Sequence, residues 1–296
     1  MSYDLFMKPR KGDLDHEAFA AYFTARPLYD VQGDKAWYRN RDTGTYFLFE
    51  FQEAGSSEIP ADEDGETGHP LIFNINYFRP SFFGPEAEPE VLACIRHFDL
   101  TVEDPQVDDE MGVGEYDSAK FLSGWAKGNE AGYRAVLEGK IESAAMIPVL
   151  PGREIRRIWK WNLHRKERQA QVGDHCFVPI LMFHDLGGVP KTFVVWPDGI
   201  PSLLPRADFI FINRKDLAPK RLFRRVPDNI LVPWSELEGV ITRFSSPVEG
   251  PAFRLNYASR PPDLAKAIER IPAAIPDLKR LSPDSVLDAE LVAKYS

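Results

Sequence analysis

The sequence predicts an α+β protein, built as two layers of mostly antiparallel sheet with helices and joined by long helices. Three observations carry this. Short segments alternate polar and apolar residues, as half-buried strands do; longer ones place apolar residues at helical spacing; and the two kinds follow one another irregularly, where a parallel sheet would need strict strand–helix alternation. At 296 residues, 44% apolar and 27% charged, the chain has the composition of a globular protein with room for two domains. The reading places an acidic α+β domain over 1–115, a helical connection over 116–174, and a mildly basic α+β domain over 175–296.

In order, Ser2–Met7 alternates and reads as a strand. Gly12-Asp13 supplies a break and a cap for a helix over Leu14–Arg26, where Phe19, Tyr22 and Phe23 recur at helical spacing and Pro27 stops the pattern. Ala36–Arg39 and Thr45–Phe51 form a hairpin around the Asp- and Gly-containing turn 40–44. Gln52–His69 reads as an acidic loop, Leu71–Phe78 as a strand, Pro85–Phe98 as a helix, and 99–117 as a second acidic loop. Asp117–Lys140 is helical in pattern despite Gly124, Gly128 and Gly132, each costing about 1 kcal/mol relative to Ala, so it must be held by packing or broken in two. Pro148 and Pro151 close the first half. A helix over Arg153–Gln171 follows, then strands at Phe177–Phe183, Thr192–Trp196, Phe209–Asn213 and Ile230–Val232. Helices at Trp234–Val240, Pro262–Ile271 and Ser285–Ala293 end the chain.

Charge is divided unevenly. Residues 1–150 hold 13 Lys+Arg against 28 Asp+Glu, net −15, and residues 151–296 hold 23 against 17, net +6, which together make the −9 of the whole. Such asymmetry speaks to partners rather than to fold. The acids concentrate in two segments: Glu53, Glu58, Asp62, Glu63, Asp64 and Glu66 in the first; Asp104, Asp108, Asp109, Glu110, Glu115 and Asp117 in the second. The calcium-loop spacing is absent from both, leaving a solvated loop or an anionic surface for a basic partner, with Asp104, Asp108, Asp109, Glu110, Glu115, Asp117, Asp62, Glu63 and Asp64 as contact residues.

The helix from Arg153 carries Arg153, Arg156, Arg157, Lys160, His164 and Arg168 within a sector of about 120° at 100° per residue, with Ile155, Ile158 and Trp159 elsewhere on its surface. Arg153, Arg156, Arg157, Lys160 and Arg168 are therefore candidates for nucleic-acid phosphates. A net charge of −9 repels a polyanion at long range, which favours solvation of this face or docking onto the acidic half. Arg214, Lys215, Lys220, Arg221, Arg224 and Arg225 form a second basic cluster with the same two readings.

Catalytic spacing is sparse. There is no G-x-S-x-G elbow and no Walker-type G-K-[ST]; Gly112-Val-Gly114 lacks its third glycine; Pro197-Asp198 and Pro227-Asp228 lack the [DE]-x-K that a nuclease core needs. Cys94 and His97 stand at C-x-x-H spacing, but His175 and Cys176 are adjacent, and adjacent residues rarely converge on one ion, so no metal site and no cofactor is expected. An enzyme would have to assemble its site from scattered groups such as Asn74, Asn76, Arg79 and His97. Two cysteines exclude a disulfide framework, charge interrupts the apolar run that a signal peptide would need in Met1–Arg10, and no apolar run approaches a membrane span. A cytoplasmic protein with no membrane segment is expected.

The opening Met1-Ser-Tyr-Asp-Leu, the Asp42-Thr-Gly-Thr-Tyr-Phe turn, the Asn74-Ile-Asn-Tyr-Phe-Arg-Pro segment and the Trp196-Pro-Asp-Gly-Ile-Pro turn resemble an uncharacterised group of bacterial cytoplasmic proteins, similar in style to the immunity proteins of polymorphic toxin systems. That resemblance implies a non-enzymatic protein that binds and inhibits a basic toxin, and assigns no individual residue a role.

Overall fold

A computed structural model describes residues 1–53, 69–106, 113–139, 147–221, 224–246, 248, 250, 252–273 and 277–296. The chain divides into two compact units, Met1–Ile147 with Leu287–Ser296, and Pro148–Val286. Both are α+β, and among the described strand pairs all but one are antiparallel.

The first unit runs β1 (Ser2–Pro9), α1 (His16–Thr24), β2 (Tyr29–Gln32), β3 (Lys35–Arg39), β4 (Tyr46–Phe51), β5 (Leu71–Asn76), α2 (Phe83–Phe98), β6 (Leu100–Glu103), β7 (Val113–Gly114) and α3 (Ser118–Glu138). Its sheet has the order β2-β3-β4-β5-β1-β6-β7. Alternation decides which face is core: Tyr3, Leu5 and Met7 of β1 and Leu71, Phe73 and Ile75 of β5 are buried, while Asp4, Asn74 and Asn76 lie on the other face. The helices cover the aromatic face, with Phe23 of α1 against Phe49 and Phe121 of α3 against Tyr3 and Phe73. Each such ring, fully buried, contributes about 1.5–3 kcal/mol.

Two expectations change here. The segment 99–117 is not one acidic loop, because Leu100 and Val102 are buried and β6 pairs with β1 on one side and β7 on the other; two inward apolar positions suffice for a short strand among acids. The α1 cap is Asp15 rather than Asp13, its carboxylate accepting the Ala18 N–H at 2.7 Å.

Helix α3 is continuous through its three glycines, and packing is the reason. Gly124, Gly128 and Gly132 fall four apart on the face that receives Tyr3 and Tyr77: a Cβ at Gly124 would stand 2.8 Å from the Tyr3 hydroxyl, one at Gly132 would stand 3.0 Å from Tyr77 Cβ, and one at Gly128 would overlap the Tyr77 ring. Gly128→Ala should therefore destabilise by about 1–3 kcal/mol despite its better helix propensity. Gly239→Ala, at an open position, should stabilise by up to about 1 kcal/mol. Urea midpoints of the two variants test the contrast, and a stabilising Gly128→Ala would contradict it.

The second unit contains β8 (Val149–Leu150), α4 (Gly152–Leu163), α5 (Arg165–Val172), β9 (Leu181–Leu186), β10 (Val189–Val195), β11 (Ser202–Pro205), β12 (Phe209–Arg214), β13 (Lys220–Arg221), β14 (Arg224–Arg225), β15 (Asp228–Pro233), α6 (Trp234–Phe244), β16 (Ser245–Ser246), β17 (Ala252–Leu255), α7 (Pro262–Arg270) and β18 (Lys279–Leu281). Its main sheet has the order β15-β12-β10-β9-β18, with β10 and β12 parallel. The chain then returns to the first unit with β19 (Leu287–Asp288) and α8 (Ala289–Tyr295), where the Asp288 carboxylate accepts the Ser81 N–H and hydroxyl at 2.8 and 2.7 Å and Glu130 meets Lys294 and Tyr295.

The expected single helix over Arg153–Gln171 is two helices meeting at His164 (φ −96°, ψ 14°). The break is held from both sides: Trp161 Nε1 donates to the Pro179 carbonyl, Asn162 grips both backbone groups of Leu181, and Arg168 reaches back to the Trp161 carbonyl at 2.9 Å. The strand expected at Phe177–Phe183 starts later, at Leu181, because Asn162 and Gln169 take up the backbone groups of Val178 and Leu181 before the ladder begins. Residues 116–174 accordingly do not form one connection: α3 belongs to the first unit, α4 and α5 to the second. The units divide at Pro148 rather than after residues 115 and 174. Recounted on the units, the charge split sharpens to 14 Lys+Arg against 30 Asp+Glu, net −16, in the first and 22 against 15, net +7, in the second.

Candidate functional site

Three of the acids expected to face a partner have internal tasks. Asp104 accepts the Tyr3 hydroxyl and the Gln106 N–H, and burial together with this carboxylate pushes the Tyr3 hydroxyl far above its ordinary pKa. Glu115 pairs with Arg10 at 2.6 Å, and Asp117 caps α3 by accepting the Ala119 and Lys120 N–H groups at 2.7 and 3.1 Å. Asp104 is thus a half-buried tether and Asp117 a cap, while both Asp117 and Glu115 keep exposed side chains. Asp62, Glu63, Asp64, Asp108, Asp109 and Glu110 lie outside the described residues.

The basic sector of α4 and α5 also divides. Arg153, Arg156 and Lys160 are exposed, at positions i, i+3 and i+7, and have no charged partner among the described residues. Arg157 is held by Glu154 and by the Arg206 carbonyl, both at 2.9 Å. Arg168 lies over the Trp161 ring with its charge partly desolvated, which lowers its pKa. In the second basic cluster, Arg214 is wholly buried: it holds Asp228 bidentately at 2.6 and 2.9 Å and donates to the Ile268 and Ile271 carbonyls at the end of α7. Arg225 pairs with Glu269 at 2.6 Å. Lys215 and Lys220 remain exposed.

The scattered polar set does not assemble. Asn74 donates to Asp4 on the sheet face away from the helices, Arg79 is fixed by Tyr46 and Asn129, and His97 stacks on Tyr22 on the helical side. Cys94 is buried in the core while His97 is exposed, so the C-x-x-H pair diverges; burial pushes both thiols up, away from reactivity. Among the described residues no group of three or more His, Cys, Asp or Glu could hold a metal ion, and no helix is long and apolar enough to cross a membrane.

The buried cluster that sequence reasoning missed is centred on Glu86, in the first turn of α2. Its Oε1 accepts from the Tyr38 hydroxyl (3.0 Å), Asn40 Nδ2 (2.7 Å) and the Thr43 hydroxyl (2.9 Å), and its Oε2 accepts from the Thr45 hydroxyl (2.7 Å). Gly44, at φ 80°, closes the turn that brings Asn40, Thr43 and Thr45 to one side. A signal existed: Glu86 shares a helical face with Phe83, Ala87, Val91 and Cys94, all buried, so an acid there had to be satisfied internally. Its chemistry is a clamp between helix and hairpin, closed to solvent.

Each unit also has an open cavity. In the first, about 460 Å³ is lined by His16, Asp34, Glu50, Phe51, Gln52 and Glu53. In the second, about 440 Å³ near the start of α4, β10 and the β11–β12 connection is lined by Arg157, Lys191, Arg206, Glu154 and Asp208 among others, and the Arg206 guanidinium pairs with Glu238 at 3.2 Å. No spacing rule reveals the latter, because its cations come from three distant stretches of chain. Comparison of the chain with protein-family models, curated protein sequences and solved structures finds no match.

Proposed function

We propose that the chain is a non-enzymatic binding protein of the cytoplasm whose acidic unit is read by a basic protein partner, in the manner of a bacterial immunity-type inhibitor. The observation that carries this reading is the coincidence of charge and architecture: the division into −16 and +7 falls on the boundary between the two compact units. A field of one sign over a whole unit accelerates encounter with an oppositely charged partner and rejects like-charged ones. Since Asp104 is half-buried and held by Tyr3 and Gln106, the contact falls to the exposed Glu115 and Asp117 and to Asp62, Glu63, Asp64, Asp108, Asp109 and Glu110.

The test is capture from the source cell's lysate by the intact chain and by a variant carrying Asp108→Asn, Asp109→Asn and Glu110→Gln. A basic protein retained at low salt, about tenfold more weakly by the variant, and losing its own activity when the chain is added in equal amount, is the expected result. Retention that ignores both salt and the substitutions would remove the acidic-surface reading.

A second reading rests on the exposed stripe Arg153, Arg156 and Lys160. If α4 contacts nucleic acid, an oligonucleotide should bind with steep salt dependence that falls by about one counterion for each of these residues replaced by Gln. No binding at low salt rejects it.

A further inference from the structure

We infer that the half-exposed face of the second unit's five-stranded sheet binds single-stranded nucleic acid. Strand register divides the side chains of that sheet between two faces. On one, Leu181, Phe183, Val194, Ile210, Ile212 and Val232 are all buried, and α7 is anchored there through Arg214. On the other, Met182, Val195, Phe209, Phe211 and Leu231 keep part of their surface, and only Phe193 at the centre is buried. The Phe209 ring stacks on Phe193 at 5.2 Å between centroids and 19° between planes, which spreads aromatic surface across β10 and β12.

A basic row borders this surface. Arg280 of β18, His184 of β9 and Lys191 of β10 stand directly opposite one another across three strands, with about 4.8 Å from each strand to the next. Neither Arg280 nor Lys191 has a charged partner among the described residues. The nearby acids are committed elsewhere: Glu154 holds Arg157, Asp208 accepts the N–H and hydroxyl of Thr192, and Asp185 lies on the opposite face by alternation and accepts the Gly188 N–H. The His184 ring lies 4.6 Å from that of Phe193, and burial together with Arg280 holds its pKa below the ordinary value. Two cations therefore flank a neutral ring, whose Nδ1 is buried without a hydrogen-bond partner.

The chemistry of the occupant follows from this arrangement. Aromatic rings take bases by stacking, which every base allows, and cations beside them take the phosphates that join the bases. In a duplex the bases already stack on one another, and a five-stranded sheet, about 19 Å across, is wider than the major groove, about 12 Å. A single strand is the form that fits. An acidic peptide would pair with Arg280 and Lys191 without using the rings. The net charge of +7 on the second unit favours an anionic occupant. The acids of the first unit take no part, so this inference and the basic-partner reading are tested separately, and Arg153, Arg156 and Lys160 belong to α4 rather than to this sheet.

The probe is a fluorescein-labelled oligothymidylate of about 15 nucleotides, added to the intact chain and followed by anisotropy across a salt series. Saturable binding that weakens with salt is the expected result. Arg280→Gln and Lys191→Gln should each weaken it and reduce the slope of log K against log salt by about 0.7, the value for one phosphate on a single strand. Arg280 is exposed, so its replacement leaves the fold intact. Phe211→Leu keeps an apolar side chain but removes the ring, and should weaken binding about tenfold with little change in the salt slope, its Tm confirming the fold. Arg153→Gln and Lys160→Gln should leave binding unchanged, and the same strand annealed into a duplex should compete about tenfold less well. The inference is overturned if the strand does not bind at low salt, or if the duplex or polyglutamate of equal charge displaces it as well as the unlabelled strand does. It is equally overturned if Phe211→Leu leaves the affinity untouched, or if Arg153→Gln and Lys160→Gln abolish binding while Arg280→Gln and Lys191→Gln do not.

Discussion

Replacing Glu86 with Ala is expected to destabilise the first unit by about 3–5 kcal/mol, among the largest effects of a single substitution in this chain. The change removes the common acceptor of the Tyr38, Thr43 and Thr45 hydroxyls and of the Asn40 amide, and leaves those donors facing a void in the buried junction between α2 and the β3–β4 hairpin. Each donor without a partner costs about 1–3 kcal/mol, and the hydroxyls recover part of this by turning toward one another. Glu86→Gln should cost less, about 1–2 kcal/mol, because it keeps the volume and one accepting oxygen while directing an N–H₂ at groups that donate. Urea unfolding measures the loss, and amide exchange in Lys35–Arg39 and Tyr46–Phe51 localises it. A loss below about 1 kcal/mol for Glu86→Ala would mean that the four donors find water instead, against their burial.

Arg214→Leu is expected to cost the second unit a similar amount, about 3–5 kcal/mol, the usual consequence of removing one partner of a buried ion pair. Arg214 has no exposed surface and makes four hydrogen bonds: two to Asp228 on the adjoining strand β15, and one each to the Ile268 and Ile271 carbonyls at the C-terminal end of α7. Substitution strands the Asp228 carboxylate and loosens α7 from the sheet. The double variant Arg214→Leu with Asp228→Leu should recover part of the loss, because no uncompensated charge remains, giving a coupling of about 1–3 kcal/mol in a double-mutant cycle. Additive single effects would show that the pair does not act as a unit.

These two clusters also mark how far the sequence could be read. The alternation in Ser2–Met7 and Leu71–Phe78, the hairpin around Asp42-Thr-Gly44 and the apolar spacing of α1, α2 and α3 depend on near neighbours, and the structure contains each of those elements within a few residues of its expected position. Tyr29–Gln32 and Leu100–Glu103 do not read as strands because four residues carry too short an alternation to stand out from a loop. The helix over Arg153–Gln171 was one element by periodicity, yet Asn162 and Trp161 bond to residues 179–181 and Arg168 to the carbonyl of residue 161, contacts that no periodic pattern encodes. Arg214 and its exposed neighbour Lys215 form one basic run in sequence; only the position of Asp228 across the ladder takes one into the core and leaves the other outside.

The sequence by itself determined the α+β class, the order of the longer elements and the separation of charge, because each depends on local periodicity or on composition. Only the tertiary structure decided which charges are free. Asp104, Glu86 and Arg214 are bound inside their units, because their burial and partnership depend on residues from 14 to 101 positions apart that meet only when the sheets and helices have packed.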